Sequence, residues 1–125
     1  MEKKNRILIA DDDPRNIFAL RLTLQSKGYE CICAAGAEEA IAIAKTEKSS
    51  IAVILMDMMM PGMDGYQAIT ILRENEETAQ IPIIAVTAQA MPGDKEKCLE
   101  AGANNYVSKP VNVDHLLEII HAHAK

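Results

Sequence analysis

Apolar and polar positions along the chain follow two alternating periods. Short β-rich runs recur at Ile7–Ala10, Tyr29–Ala34, Ile51–Met56, Ile83–Val86 and Asn104–Val107. The third and fourth are apolar without alternation, the pattern of strands covered on both faces. Each run is followed by a segment of helical spacing with readable ends. Asp13 predicts an N-cap with Pro14 at the first helical position; Ile17, Leu20 and Leu24 share a face, and Gly28 stops the helix. A second helix opens after Gly36, with Glu38 and Glu39 in its first turn and Ala37, Ala40, Ile41 and Ala44 on one stripe. The third starts near Asp64 and turns Ala68, Ile69 and Leu72 inward. The fourth begins around Pro92 and ends at Gly102. The fifth is capped by Asn112 and directs Val113, Leu116, Leu117 and Ile120 to the core. Five β-then-α units predict a doubly wound α/β fold, because parallel neighbours need right-handed crossovers that leave helices on both faces.

Composition narrows the class. No repeat, low-complexity tract or linker divides the 125 residues, so one domain is expected over residues 6–124. With 49% hydrophobic and 25% charged residues the chain is neither disordered nor a membrane protein. A net charge of −5, with three Tyr and one Phe, offers nucleic acid little to bind or stack on. The longest apolar run, Ile51–Met56, falls well short of the ~20 residues a membrane span needs. Lys3 and Lys4 precede only the short run Ile7–Ala10, which is no signal peptide. Three cysteines, odd in number and without zinc spacing, suit a reducing, cytoplasmic compartment.

In doubly wound folds, ligands bind beyond the carboxyl ends of the strands, where strand order reverses. Here the first strand ends in Asp11, Asp12 and Asp13, and the third runs into Asp57. The fourth ends at Thr87, and Lys109-Pro110 follows the fifth. Two carboxylates ~4 Å apart repel by about 4 kcal/mol at an effective dielectric of 20, so such a basin calls for a proton or a cation. An all-oxygen donor set favours Mg²⁺ or Mn²⁺ over zinc. A hard cation with a Lys and a hydroxyl beside it has the parts to stabilise a transferring phosphoryl group. There is no Gly-rich nucleotide loop, and Asp57 is the best candidate nucleophile for an aspartyl-phosphate.

Five segments in order resemble the receiver domain of two-component response regulators over nearly the whole chain. They are Ile7-Leu8-Ile9-Ala10-Asp11-Asp12, Leu55–Gly65 around Asp57, Val86-Thr87-Ala88, Ala101-Gly102-Ala103 and Lys109-Pro110. The resemblance implies a flavodoxin-like sheet of five strands in the order 2-1-3-4-5. It implies phosphorylation of Asp57 by a histidine kinase or a histidine phosphotransfer protein, with Mg²⁺ held by Asp11, Asp12, Asp57 and the Met59 backbone carbonyl. Thr87 would hydrogen-bond the phosphoryl group, Lys109 would pair with it, and the Lys109–Pro110 peptide would be cis. Tyr106 matches the aromatic switch position. Met59 and Gln89 occupy the positions that tune hydrolysis of the phosphate. Output is expected through protein contacts on the fourth helix, fifth strand and fifth helix, by a monomer that dimerises at most on activation. Asp13, a third acid where the family uses two, is read as a helix cap.

Other readings stand beside this one. A Mg²⁺-dependent phosphohydrolase would want an acid/base Asp two residues after the nucleophile, where this chain has Met59. A receiver-like module that is never phosphorylated would have no need of so costly an acidic cluster. Met58–Met60 read as loop and core packing, and His115, His121 and His123 as solvated or packed. A chain ending at Lys125 suggests a free-standing regulator, while residues 90–102 also resemble receivers attached to hybrid histidine kinases.

Overall fold

A computed structural model describes residues 5–88 and 93–123; Gln89, Pro92 and Ala124 lie outside the described residues. The elements alternate as β1 (Arg6–Ala10), α1 (Pro14–Ser26), β2 (Glu30–Ala34), α2 (Ala37–Thr46), β3 (Ile51–Asp57), α3 (Gly65–Glu74), β4 (Ile83–Thr87), α4 (Asp94–Ala101), β5 (Asn105–Ser108) and α5 (Val113–His123). All four strand pairings are parallel, in the order β2-β1-β3-β4-β5. This is the doubly wound, flavodoxin-like order expected. The chain leaves β1 toward β2 on one side and returns to β3 on the other, so the switch point lies between the ends of β1 and β3.

Side-chain alternation in the central strands divides the core. Leu8, Ala10, Ile54, Met56, Ile83 and Ala85 face α2, α3 and α4. Ile7, Ile9, Val53, Leu55, Ile84 and Val86 face α1 and α5. Every residue of β3 and β4 is buried, which explains their unbroken apolar runs. Register slips between β1 and β3, where Arg6 pairs with Ile51 but Ile7 with Val53. Ala52 is the extra residue, and the bulge brings the two strands into step before their functional ends.

The helix ends follow local chemistry. The Asp13 carboxylate accepts from the Arg15 N–H at 3.0 Å and caps α1. Asp64 and Gln67 form a reciprocal capping box on α3. Asn112 accepts from the His115 N–H at 3.0 Å and caps α5. Leu116, Ile119 and Ile120 are its buried face, with Val113 and Leu117 only half-buried. The fourth helix differs from its expected start: it begins at Asp94 after Gly93, whose φ of 92° is left-handed.

Its far end is clamped. Arg73 of α3 donates to the Gly102 carbonyl (2.9 Å), the Ala79 and Ile81 carbonyls (2.9 and 2.8 Å) and Asn104 Oδ1 (2.7 Å). One guanidinium thereby ties the end of α3 to the start of β4 and to the α4–β5 turn.

Candidate functional site

Backbone hydrogen bonds carry the ladder one residue past several strand ends. The Asp11 N–H donates to Ala34 O (3.0 Å), Met58 N–H to Val86 O (2.9 Å) and Lys109 N–H to Thr87 O (2.7 Å). Asp11, Asp57, Thr87 and Lys109 are therefore held on rigid sheet ends rather than on free loops. Asp11, Asp57 and Thr87 are buried, Lys109 is half-buried and Asp12 is exposed. Carboxylate oxygens of Asp11, Asp12 and Asp57 lie within 4.8 Å of one another. The acids of the first and third strands thus meet at the switch point, as expected from sequence.

Lys109 bridges the two buried acids. Its Nζ lies 3.3 Å from Asp57 Oδ2 and 3.4 Å from Asp11 Oδ2. The remaining oxygen of each acid is occupied by backbone. Asp57 Oδ1 accepts from the Met59 N–H at 3.0 Å, and Asp11 Oδ1 from the Asp13 N–H at 2.9 Å. Burial is the largest influence on Asp57 and, with Asp11 beside it, raises its pKa above the ordinary carboxylate value; the Met59 N–H and Lys109 oppose the rise. For Lys109 burial pulls downward, but Asp57 and Asp11 outweigh it and the ammonium is held more firmly protonated than usual.

Two further expected residues share one sheet face. Tyr106 pairs in register with Ala85, and Ser108 with Thr87. Tyr106 is half-buried against the core that α3 and α4 cover. Its phenol pKa is raised by burial, with Asp94 and Cys98 of α4 adding to the effect. The Lys109–Pro110 peptide is cis.

The surroundings of Asp57 bear out the bland readings of its neighbours. Met58 and Met60 are buried in the core, whereas the Met59 side chain is 64% exposed. A Cβ on Gly65 would sit 2.7 Å from the Met58 Cα, so this glycine is required where α3 starts against the site loop. Cys31, Cys33 and Cys98 are free thiols; burial, reinforced by Cys33, pushes Cys31 up to about 11 and leaves no thiolate at neutral pH.

One site residue escaped the sequence reading. The Asn16 amide donates to Asp11 Oδ2 from the first turn of α1. The available signal was periodicity: position 16 continues the inward stripe of Leu20 and Leu24, yet it is polar.

Residues 7–121 match the family model of the response regulator receiver domain. The chain is 38% identical to protein PilH of Pseudomonas aeruginosa over 117 residues, 94% of this chain and 95% of PilH. Its fold superposes on the receiver domain of a P. aeruginosa sensor histidine kinase, whose active-site cleft holds a coordinated magnesium ion. That match has a TM-score of 0.87 and 36% identity, and covers 96% of this chain and 97% of that one. A putative response regulator of Chloroflexus aurantiacus matches with a TM-score of 0.89 and 34% identity over 98% of both chains. The chain belongs to the response regulator receiver family. It is a phosphorylation-activated signalling switch of two-component systems, a class that exchanges signals with histidine kinases and downstream targets. Among the described residues no helix is long and apolar enough to cross a membrane.

Proposed function

We propose that Asp57 is the phosphoacceptor and that one receiver unit spans residues 6–124. The observation that carries this reading is the Lys109 ammonium set astride Asp57 and Asp11. It places one mobile cation where charge develops during phosphoryl transfer. The Asp57 carboxylate forms a bond to phosphorus as the P–N bond of a donor phosphohistidine breaks, and the departing imidazole takes up a proton. The donor is a histidine kinase or histidine phosphotransfer protein. Lys109 and the Thr87 hydroxyl bind the transferred group. Thr87 and Tyr106 pass the change to α4, β5 and α5, which engage a downstream protein target. The phosphoryl group is lost to water, and no external substrate is turned over. The domain works in the cytoplasm, as a monomer before phosphorylation.

The donor set suits a hard divalent cation. Three carboxylate oxygens within 4.8 Å of one another compare with about 4.2 Å across a Mg²⁺ octahedron. Asp11, Asp12, Asp57 and the Met59 carbonyl would hold Mg²⁺, and Mn²⁺ suits the same oxygens. The bound ion would neutralise the crowded carboxylates and the incoming phosphoryl oxygens.

Incubation with acetyl phosphate and Mg²⁺ is expected to label the protein at one equivalent, with none on Asp57→Asn, by intact mass. Equal labelling of both proteins would remove Asp57 from the role.

A further inference from the structure

Asp11 is the most heavily engaged acid of the centre. A carboxylate has about four lone-pair directions. One on Oδ1 is taken by the Asp13 N–H, and Oδ2 meets both the Asn16 amide and the Lys109 ammonium. The three restraints are unlike. The Asp13 contact is local, and by itself fixes one oxygen while leaving the carboxylate plane free to turn about it. Lys109 is long, mobile and shared with Asp57. A phosphoryl group arriving at Asp57 carries more negative charge than the carboxylate it modifies, and competes directly for that ammonium.

Asn16 behaves differently on both counts. Its side chain has two rotatable bonds and no charge to follow. It projects from the third residue of α1, after the Asp13 cap and Pro14, in a turn fixed by those two residues. Below it the helix is anchored by Leu20 and Leu24 in the core. The amide therefore has a rigid base and cannot be drawn off by phosphate as the ammonium can.

We propose that Asn16 is a positioning residue of the acidic centre: its amide fixes the plane of the Asp11 carboxylate independently of Lys109, and thereby sets how tightly the centre holds a divalent cation. The inference rests on the reading of the acidic trio as a cation site. Its consequence is a division of labour, in which Lys109 is released to the phosphoryl group without Asp11 losing its orientation.

The test is titration calorimetry of the unphosphorylated protein with Mg²⁺, for wild type, Asn16→Ala, Lys109→Ala and the double variant. Alanine is well tolerated in a first helical turn, so Asn16→Ala keeps α1. The expected result is a 5- to 20-fold loss of Mg²⁺ affinity in Asn16→Ala. A larger loss is expected when the substitution is made on the Lys109→Ala background, where both side chains that meet Oδ2 among the described residues are gone. Thermal midpoints with and without Mg²⁺ give a second readout. A residue that merely supports the helix lowers both equally, whereas a positioning residue shrinks the Mg²⁺-dependent increment. Saturable binding by wild type, matched within twofold by Asn16→Ala with an unchanged increment, overturns the inference. No saturable binding by wild type overturns instead the cation reading beneath it.

Discussion

At the scale of single residues the centre is an arrangement of unfavourable choices that offset one another only in part. Asp57 is buried to 3% exposure with Asp11 near it, and Lys109 with one backbone N–H does not fully compensate. Its pKa is consequently higher folded than unfolded. Over the interval between those values the folded chain binds more protons than the unfolded chain, so stability falls as pH rises through it. Above the folded pKa the entire penalty stands. Asp57→Asn removes it while leaving Lys109 its contact with Asp11. In metal-free buffer at pH 7 the variant is expected to melt roughly 4 °C higher, about 1 kcal/mol for a domain of this size. The gain should shrink as pH falls from 7 through the raised folded value, where wild-type Asp57 takes up its own proton. Calorimetric scans across that range check the sign; a lower midpoint at pH 7 would mean that the Lys109 pairing outweighs the cost of burial.

At the scale of elements the ends of the helices were legible from sequence where a side chain does the capping. Asp13, Asp64 and Asn112 act within three residues of themselves, and such chemistry is written locally. The start of α4 was less so, since Pro92 reads in sequence as a first helical residue, whereas the helix follows the left-handed Gly93. Arg73 was not legible at all. In sequence it is an ordinary arginine near the end of a helix, and its acceptors lie 6 to 31 positions away. Three of them are backbone carbonyls of Ala79, Ile81 and Gly102. Arg73→Met keeps much of the stem's packing but takes this donor from the three carbonyls, while Asn104 Oδ1 keeps the Ile83 N–H. At about 1 kcal/mol or more for each poorly resolvated carbonyl, the variant should lose roughly 2–3 kcal/mol in urea unfolding. Hydrogen exchange should quicken first around Gly102–Asn104, where the clamp closes. Arg73→Lys should recover little, because an ammonium cannot present a planar fork to groups on several sides. Full stability in either variant would show that the turn holds itself.

At the scale of the whole molecule the strand ends were legible because each functional group follows an apolar run. Their convergence depends on β1 lying beside β3, a long-range pairing that no local pattern encodes and that the family resemblance supplied. On the proposed reading, the route from the centre to the surface turns on Thr87. It closes β4 one residue past Val86, the partner of Asp57, and lies on the same sheet face as Tyr106. A phosphoryl group on Asp57 would offer the Thr87 hydroxyl a charged acceptor, and hydrogen bonds to charged groups contribute about 1.5–3 kcal/mol. That is enough to move a two-state equilibrium by roughly 10- to 150-fold, and it acts only in the phosphorylated form. Chemistry and switching should therefore separate in Thr87→Ala. With acetyl phosphate and Mg²⁺ this variant is expected to carry phosphate on Asp57, because the nucleophile, Lys109 and the acids are intact. The change in hydrogen exchange that phosphorylation produces over α4 and β5 in wild type should be largely absent from it. If labelled Thr87→Ala shows the wild-type exchange pattern, the signal leaves the site by another route. Lys109 is then the candidate, since among the described residues it is the cation that spans both acids, and it connects directly to the end of β5.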